Sequence, residues 1–210
     1  MKSVEVDFRR VLAELRKHGI LLESDKRLPS VTRLVAGGPI HGSWWAHPRG
    51  HEIHQIARRL ASHPDVTVTK LVSKKVTFVH RSLWPALVTV VSAPQTWQAK
   101  GLSRTAQSLL TLVNRAGRLR TDRILKKGNM KGKAIGDAAR ELETRLLVHS
   151  VEVHTESGAH AKQMESWKVW TNRSRVGGKT MSYELAERKF EVVLRDLNRR
   201  YGAKGKLPWQ

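Results

Sequence analysis

Residues 133–170 read KAIGDAARELETRLLVHSVEVHTESGAHAKQMESWKVW, and the fold turns on how this stretch is parsed. Ile135, Ala138, Ala139, Leu142 and Leu146 recur at helical spacing and predict an amphipathic helix from Lys133 to Arg145. Val148, Val151 and Val153 follow at once in a strand-like run. Thr155-Glu156-Ser157-Gly158 supplies a turn, and the chain returns from about Ala161 to Trp170. Upstream, Ser103 is placed to cap a helix carrying Ala106, Leu109, Leu110 and Val113, which Gly117 ends. A glycine-punctuated basic connector, part loop and part helical turn, joins the two helices. Helix, connector, helix and immediate hairpin is the order of a winged helix-turn-helix, with 133–145 as its recognition helix and the hairpin as its wing. Downstream, Ser182 with Glu184 and Glu187 opens a last helix through Phe190, Leu194 and Leu197, stopped by Gly202.

The first half has a related order. Phe8, Val11, Leu12 and Leu15 mark a helix that Gly19 stops. Ser30 is a candidate helix start, and a second helix is expected from about Pro48 to Ala61, with Ile53, Ile56, Ala57 and Leu60 on one face. Val66 to Val72 alternates as a strand, Ser73-Lys74-Lys75 turns, and Val76 to Val79 pairs back. A helix follows from Ser82 to Val91. The class expected is therefore α+β and helix-rich, with two winged-helix-like units in tandem. Residues 1–95 form the first and residues 102–210 the second, joined by a linker from Ser92 to Gly101.

The chain of 210 residues carries 39 Lys and Arg against 18 Asp and Glu, a formal net charge of +21. Charge of that size argues for polyanionic partners rather than for a fold. Residues 1–101 hold 16 basic and 7 acidic side chains and residues 102–210 hold 23 and 11, so no single tail carries the excess. Cysteine is absent, which excludes disulfides, thiolate zinc sites and a cysteine nucleophile. No apolar run approaches the ~20 residues that span a bilayer, and Glu5, Asp7 and Arg9 interrupt any signal-peptide pattern. A cytoplasmic, nucleoid-associated protein without membrane contact is the expectation.

The densest local charge lies in the connector. Arg115, Arg118, Arg120 and Arg123 are followed by Lys126, Lys127, Lys131 and Lys133, opposed only by Asp122. Grouped cations neutralise several phosphates and release their counterions, so these residues, with Arg140 on the helix beyond, are the candidate contacts to double-stranded DNA. Asp137, Glu141 and Glu143 accompany Arg140 and Arg145 on that helix, a mixture unfavourable for lying against phosphates. The wing carries His149, His154 and His160 as half-exposed strand histidines, with Glu152 and Glu156 near its tip, so a cationic wing contact is not expected either.

A second cluster, HGSWWAHPRGHEIH at residues 41–54, sits at a loop-to-helix junction. His47, His51 and His54 have spacings compatible with a metal, although no thiolate helps and His-Glu-x-His is one residue short of the zincin motif. Trp44 and Trp45 offer faces for unpaired bases, His47 and Arg49 cations for phosphate, and Glu52 a carboxylate to activate water, which makes Glu52 the candidate catalytic residue. Core packing of the two indoles is the third reading. His80 and Arg81, at the end of the first hairpin, would join the same pocket if the hairpin folded over the helix. No metal and no cofactor is implied.

The segments GSWWAHP (42–48), HPDV with KLVSKKVTFVHRSLWPAL (63–66 and 70–87) and HTESGAHAK (154–162) resemble a group of bacterial proteins related to winged-helix DNA glycosylases that unhook alkylated bases and interstrand crosslinks. The resemblance implies a DNA-directed role in repair. Those glycosylases build their active site on Gln-x-Gln or Gln-x-Asp. Here Gln95 and Gln98 are spaced Gln-x-x-Gln and fall in the linker, so no catalytic residue carries over. The expected function is a basic winged-helix DNA-binding protein acting in repair. A glycosylase-like hydrolase acting on alkylated or crosslinked bases and a transcription regulator are the alternatives. Charge alone does not separate DNA from RNA.

Overall fold

The computed structural model describes residues 2–92, 95–127, 132–154, 160–176 and 181–210. Helix makes up 58% and strand 16%, the strands forming two small antiparallel sheets, so the helix-rich α+β class is what the chain adopts. Two compact units emerge, Met1–Ala86 with Met181–Pro208 and Gln210, and Leu87–Thr180 with Trp209. Among the described residues no helix is long and apolar enough to cross a membrane.

In the first unit, α1 (Lys2–His18) buries Val11 and Leu15 completely and ends where the Gly19 amide bonds the Leu15 carbonyl at 2.8 Å. Gly19 has φ +76, and a Cβ there would lie 2.7 Å from the Leu83 side chain, so glycine is required. Strand β1 (Ile20–Leu22) follows, α2 (Val31–Ala36) is capped by the Ser30 hydroxyl, and α3 (Gly50–Ala61) turns Ile53, Ile56 and Leu60 inward. The hairpin of β2 (Val66–Val72) and β3 (Lys75–His80) completes a sheet of order β1-β3-β2, with Leu21 opposite Phe78. Helix α3 begins two residues later than its sequence suggests. Trp44–Ala46 form a 3₁₀ turn, and a Cβ on Gly50 would stand 2.9 Å from the Trp45 carbonyl oxygen, so the helix starts where a glycine permits that close approach.

Helix α4 (Trp84–Ser92) leads out of this unit. The second unit then holds α5 (Thr96–Ala99), α6 (Arg104–Ala116), β4 (Arg118–Arg120), α7 (Thr121–Lys127), α8 (Gly132–Thr144), β5 (His149–His154), β6 (His160–Glu165) and α9 (Trp167–Ser174). Its sheet has the order β4-β6-β5. Both units thus run helix, strand, helix, helix, strand, strand, with the third strand between the other two. The first strand of each is three residues long and was not anticipated. Ile20–Leu22 lacks alternation, and Arg118–Arg120 has one apolar residue.

Three further differences have physical causes. The return strand stops at Glu165 rather than reaching Trp170, because Ser166 caps a new helix whose Trp167 and Trp170 are both buried. The stretch expected as a linker contains α5, in which Gln98 is fully buried and its amide donates to the Arg145 carbonyl at 3.1 Å. The C-terminal helix α10 (Tyr183–Tyr201), grouped in the sequence reading with residues 102–210, belongs to the first unit. There Arg27 donates to the Gly202 carbonyl at 2.5 Å, and the Ser73 amide donates to the Lys206 carbonyl at 2.8 Å.

Candidate nucleic-acid interface

The basic connector is structured. Arg115 is exposed in the last turn of α6, Arg118 and Arg120 lie in β4, and Arg123 is exposed on α7. The side chains of Lys126 and Lys127, and the whole of Lys131, fall outside the described residues. Lys133 and Arg140 are exposed on α8. Two of the candidates are already committed. Arg118 donates to Glu165 at 3.0 Å, and Arg120 pairs with Asp122 at 3.0 Å. Arg115, Arg123, Lys133 and Arg140 have no ion-pair partner among the described residues.

Helix α8 is more cationic outside than its composition suggests. Glu143 is buried, and Lys162 Nζ donates to both its oxygens at 2.6 Å while the Ser150 hydroxyl donates to one of them. Glu141 accepts from the Ser103 amide at 3.1 Å, at the N-terminus of α6. Arg145 donates to the carbonyls of Trp97, Gln98 and Lys100. What α8 turns to solvent is therefore Gly132, Lys133, Gly136, Asp137 and Arg140: two cations, one carboxylate and no bulky apolar side chain. The expected charge conflict on this helix is resolved by burying or pairing its other acids. Glu143→Gln should cost about 2 kcal/mol, since the amide keeps one acceptor for Lys162 but removes the charge opposite it. Urea melts of the two proteins measure this.

A hub that sequence spacing did not reveal anchors β6. The Glu165 carboxylate is buried and accepts from His149 Nδ1 at 3.0 Å, Arg118 at 3.0 Å and Arg173 at 2.5 Å. Burial alone would raise its pKa, but these three donors, His149 foremost, hold it at about 2. His149 is a core residue packed against Trp167 and Trp170, not a half-exposed strand histidine. His160 is exposed and pairs with Glu152 at 3.0 Å, and the side chain of His154 lies outside the described residues.

In the first unit the candidate pocket residues separate into two groups. Trp44 is half-buried against the core and stacks on Trp45, ring centroids 4.2 Å apart, with His54 at 4.9 Å from Trp45. The Arg49 amide donates to His47 Nδ1 at 3.1 Å. The Arg49 guanidinium donates to Asp7 at 2.5 Å, to Glu52 at 2.7 Å and to the Val35 carbonyl, and the carboxylates of Asp7 and then Glu52 push its pKa up. Glu52 thus shares the Arg49 guanidinium with Asp7 of α1. His51 is exposed, with Nε2 2.8 Å from the Gln55 amide nitrogen. Among the described residues, no three His, Asp or Glu side chains gather as a metal site.

His80 and Arg81 do not join that group. Arg81 donates to Asp65 at 2.8 Å, and His80, its pKa pushed down by burial, lies 3.0 Å from the Ser82 hydroxyl through Nδ1. Asp65 follows the C-terminus of α3, whereas Trp45 precedes its N-terminus. The 12 residues of that helix put about 18 Å between the two ends. Arg81 is thus held at the opposite end of α3 from Trp45.

The first hairpin and the segment after β1 add further cations. Lys26, Lys70, Lys74 and Lys75 line an open cavity of about 430 Å³ with Glu23 and Asp25. Burial opposes ionisation of Asp25, yet Lys75 at 2.6 Å and the amides of Arg27 and Leu28 keep its pKa below the usual carboxylate range. Ser73 and Lys74 have φ of +50 and +60, so two residues other than glycine hold the left-handed turn that a two-residue hairpin demands.

Against known proteins, the chain matches no curated protein and no solved structure. A family model described as AlkZ related does match, over residues 7–205, which takes in both units. The likeness to crosslink-repair glycosylase relatives carried by Gly42–Pro48, His63–Leu87 and His154–Lys162 is therefore one of family, and the chain belongs to the AlkZ-related family.

Proposed function

We propose that this protein binds double-stranded DNA in the service of DNA repair, as two winged-helix units in tandem, with α8 presented to the duplex. The observation that carries the reading is the outward face of α8. Its inner acids are spent on Lys162, Ser150 and the α6 N-terminus, and what remains is a short, small-residue surface flanked by Lys133 and Arg140. Such a helix approaches a phosphate-lined groove closely without a bulky side chain in the way. The shared order of elements supports the tandem architecture, the net charge of +21 supports a polyanionic partner, and the family relation supports repair.

Fluorescence anisotropy with a labelled duplex tests the assignment. Replacing Lys133 and Arg140 together by Ala should weaken binding about tenfold near physiological salt and reduce the salt slope by about 2. A duplex RNA of matched sequence should compete less well than DNA. Unchanged affinity in the double variant would remove α8 from the interface.

A further inference from the structure

The geometry points to the Trp44–Trp45 stack as a platform on which one unpaired nucleobase lies against the indole of Trp45. This rests on the DNA-binding reading above and adds to it a ligand, an unstacked nucleotide, at a site in the first unit. Trp45 is 61% exposed, the only aromatic among the large apolar side chains that the described residues leave in solvent. Its exposure is built in. Trp44 is wedged against the core and supports it from below, with the two rings only 22° from parallel. The turn beneath is closed by hydrogen bonds from the Ala46 amide to the Ser43 carbonyl and from the His47 amide to the Trp44 carbonyl, both 3.1 Å. Gly50 fixes it further, because a Cβ there would press on both tryptophan carbonyl oxygens at 2.9 and 3.0 Å. The indole is thus held ready, and a ligand that stacks on it loses little to ordering the protein.

The surroundings select a nucleotide over a protein surface. From His41 to Arg59 the sole carboxylate is Glu52, and Arg49 neutralises it. The exposed neighbours are His41, Gly42, Ser43, Ala46, Pro48 and His51, with Arg58 further along α3. One indole offers at most about 250 Å², far below the ~1,000 Å² a stable protein interface needs. It matches the face of a single base, and the histidine and arginine rim suits the attached phosphate.

Binding of a short oligothymidylate, of the same backbone lacking its bases, and of a fully paired duplex of equal length tests this, with wild type, Trp45→Phe and Trp45→Ala compared. Trp45→Ala should weaken oligothymidylate binding about tenfold and leave the abasic strand and the duplex within about twofold of wild type. Trp45→Phe should keep most of the affinity, and thermal melts check that both variants fold. Equal oligothymidylate affinity in wild type and Trp45→Ala overturns the platform. So does a wild type that binds the base-bearing and abasic strands equally well, and in that case duplex binding leaves the α8 interface standing. If the wild type binds none of the three probes, both readings fall. A wild-type dimer in sedimentation that Trp45→Ala dissolves would also overturn the platform and assign the indole to a second copy of the chain.

Discussion

Replacing Glu165 by Gln is expected to destabilise the protein by about 3 kcal/mol, because one substitution strips the counter-charge from two guanidinium groups and the partner from a buried imidazole at once. His149 is itself buried and loses its carboxylate partner, while Arg118 and Arg173, each about half exposed, recover part of their solvation in water. That recovery keeps the cost at the lower end for a broken buried network. The same group makes stability depend on acid. Its pKa is about 2 in the folded protein against 4.5 for the free side chain, so the unfolded chain takes up the proton first as pH falls. The stabilisation is complete above about pH 4.5 and is lost progressively toward pH 2, and a shift of that size corresponds to about 3 kcal/mol. Urea melts between neutral pH and pH 3 should therefore show wild type and Glu165→Gln converging as the medium becomes acidic. Parallel curves would mean that the hub contributes nothing as an ionised group.

The hub also shows where sequence reasoning stops. Arg118 and His149 meet Glu165 because β4 and β5 both hydrogen-bond to β6, Arg173 reaches it from α9, and no helical or strand period links the four. By contrast, α1, α3, α6, α8, α10 and the first hairpin were legible, since each carries a buried face and a Ser or Gly at an end. The short strands β1 and β4 escaped for opposite reasons. Ile20–Leu22 is uniformly apolar and abuts a helix stop, and Arg118–Arg120 looks like part of a charge run. Without them, the common order of the two units lacked its first strand. Likewise the charge balance of α8 could not be judged from composition. Glu143 counts against phosphate binding until Lys162, nineteen residues away, is seen to occupy it. At the Trp-His segment the grouping expected with the first hairpin does not extend to Arg81, which answers to Asp65 at the far end of α3.

The second large effect is ionic. Four cations of the second unit, Arg115, Arg123, Lys133 and Arg140, have no ion-pair partner among the described residues, and Lys126, Lys127 and Lys131 belong to the same basic stretch. If six phosphates are neutralised, the logarithm of affinity falls with the logarithm of salt at a slope of about −5. Binding driven by a few hydrogen bonds to neutral groups would have no such dependence.

The measurement that bears most directly on the proposed DNA binding is the affinity for a short duplex across that salt range. Affinity should fall about a thousandfold between 50 and 200 mM monovalent salt. An affinity that stays nearly constant over the same range would contradict the account.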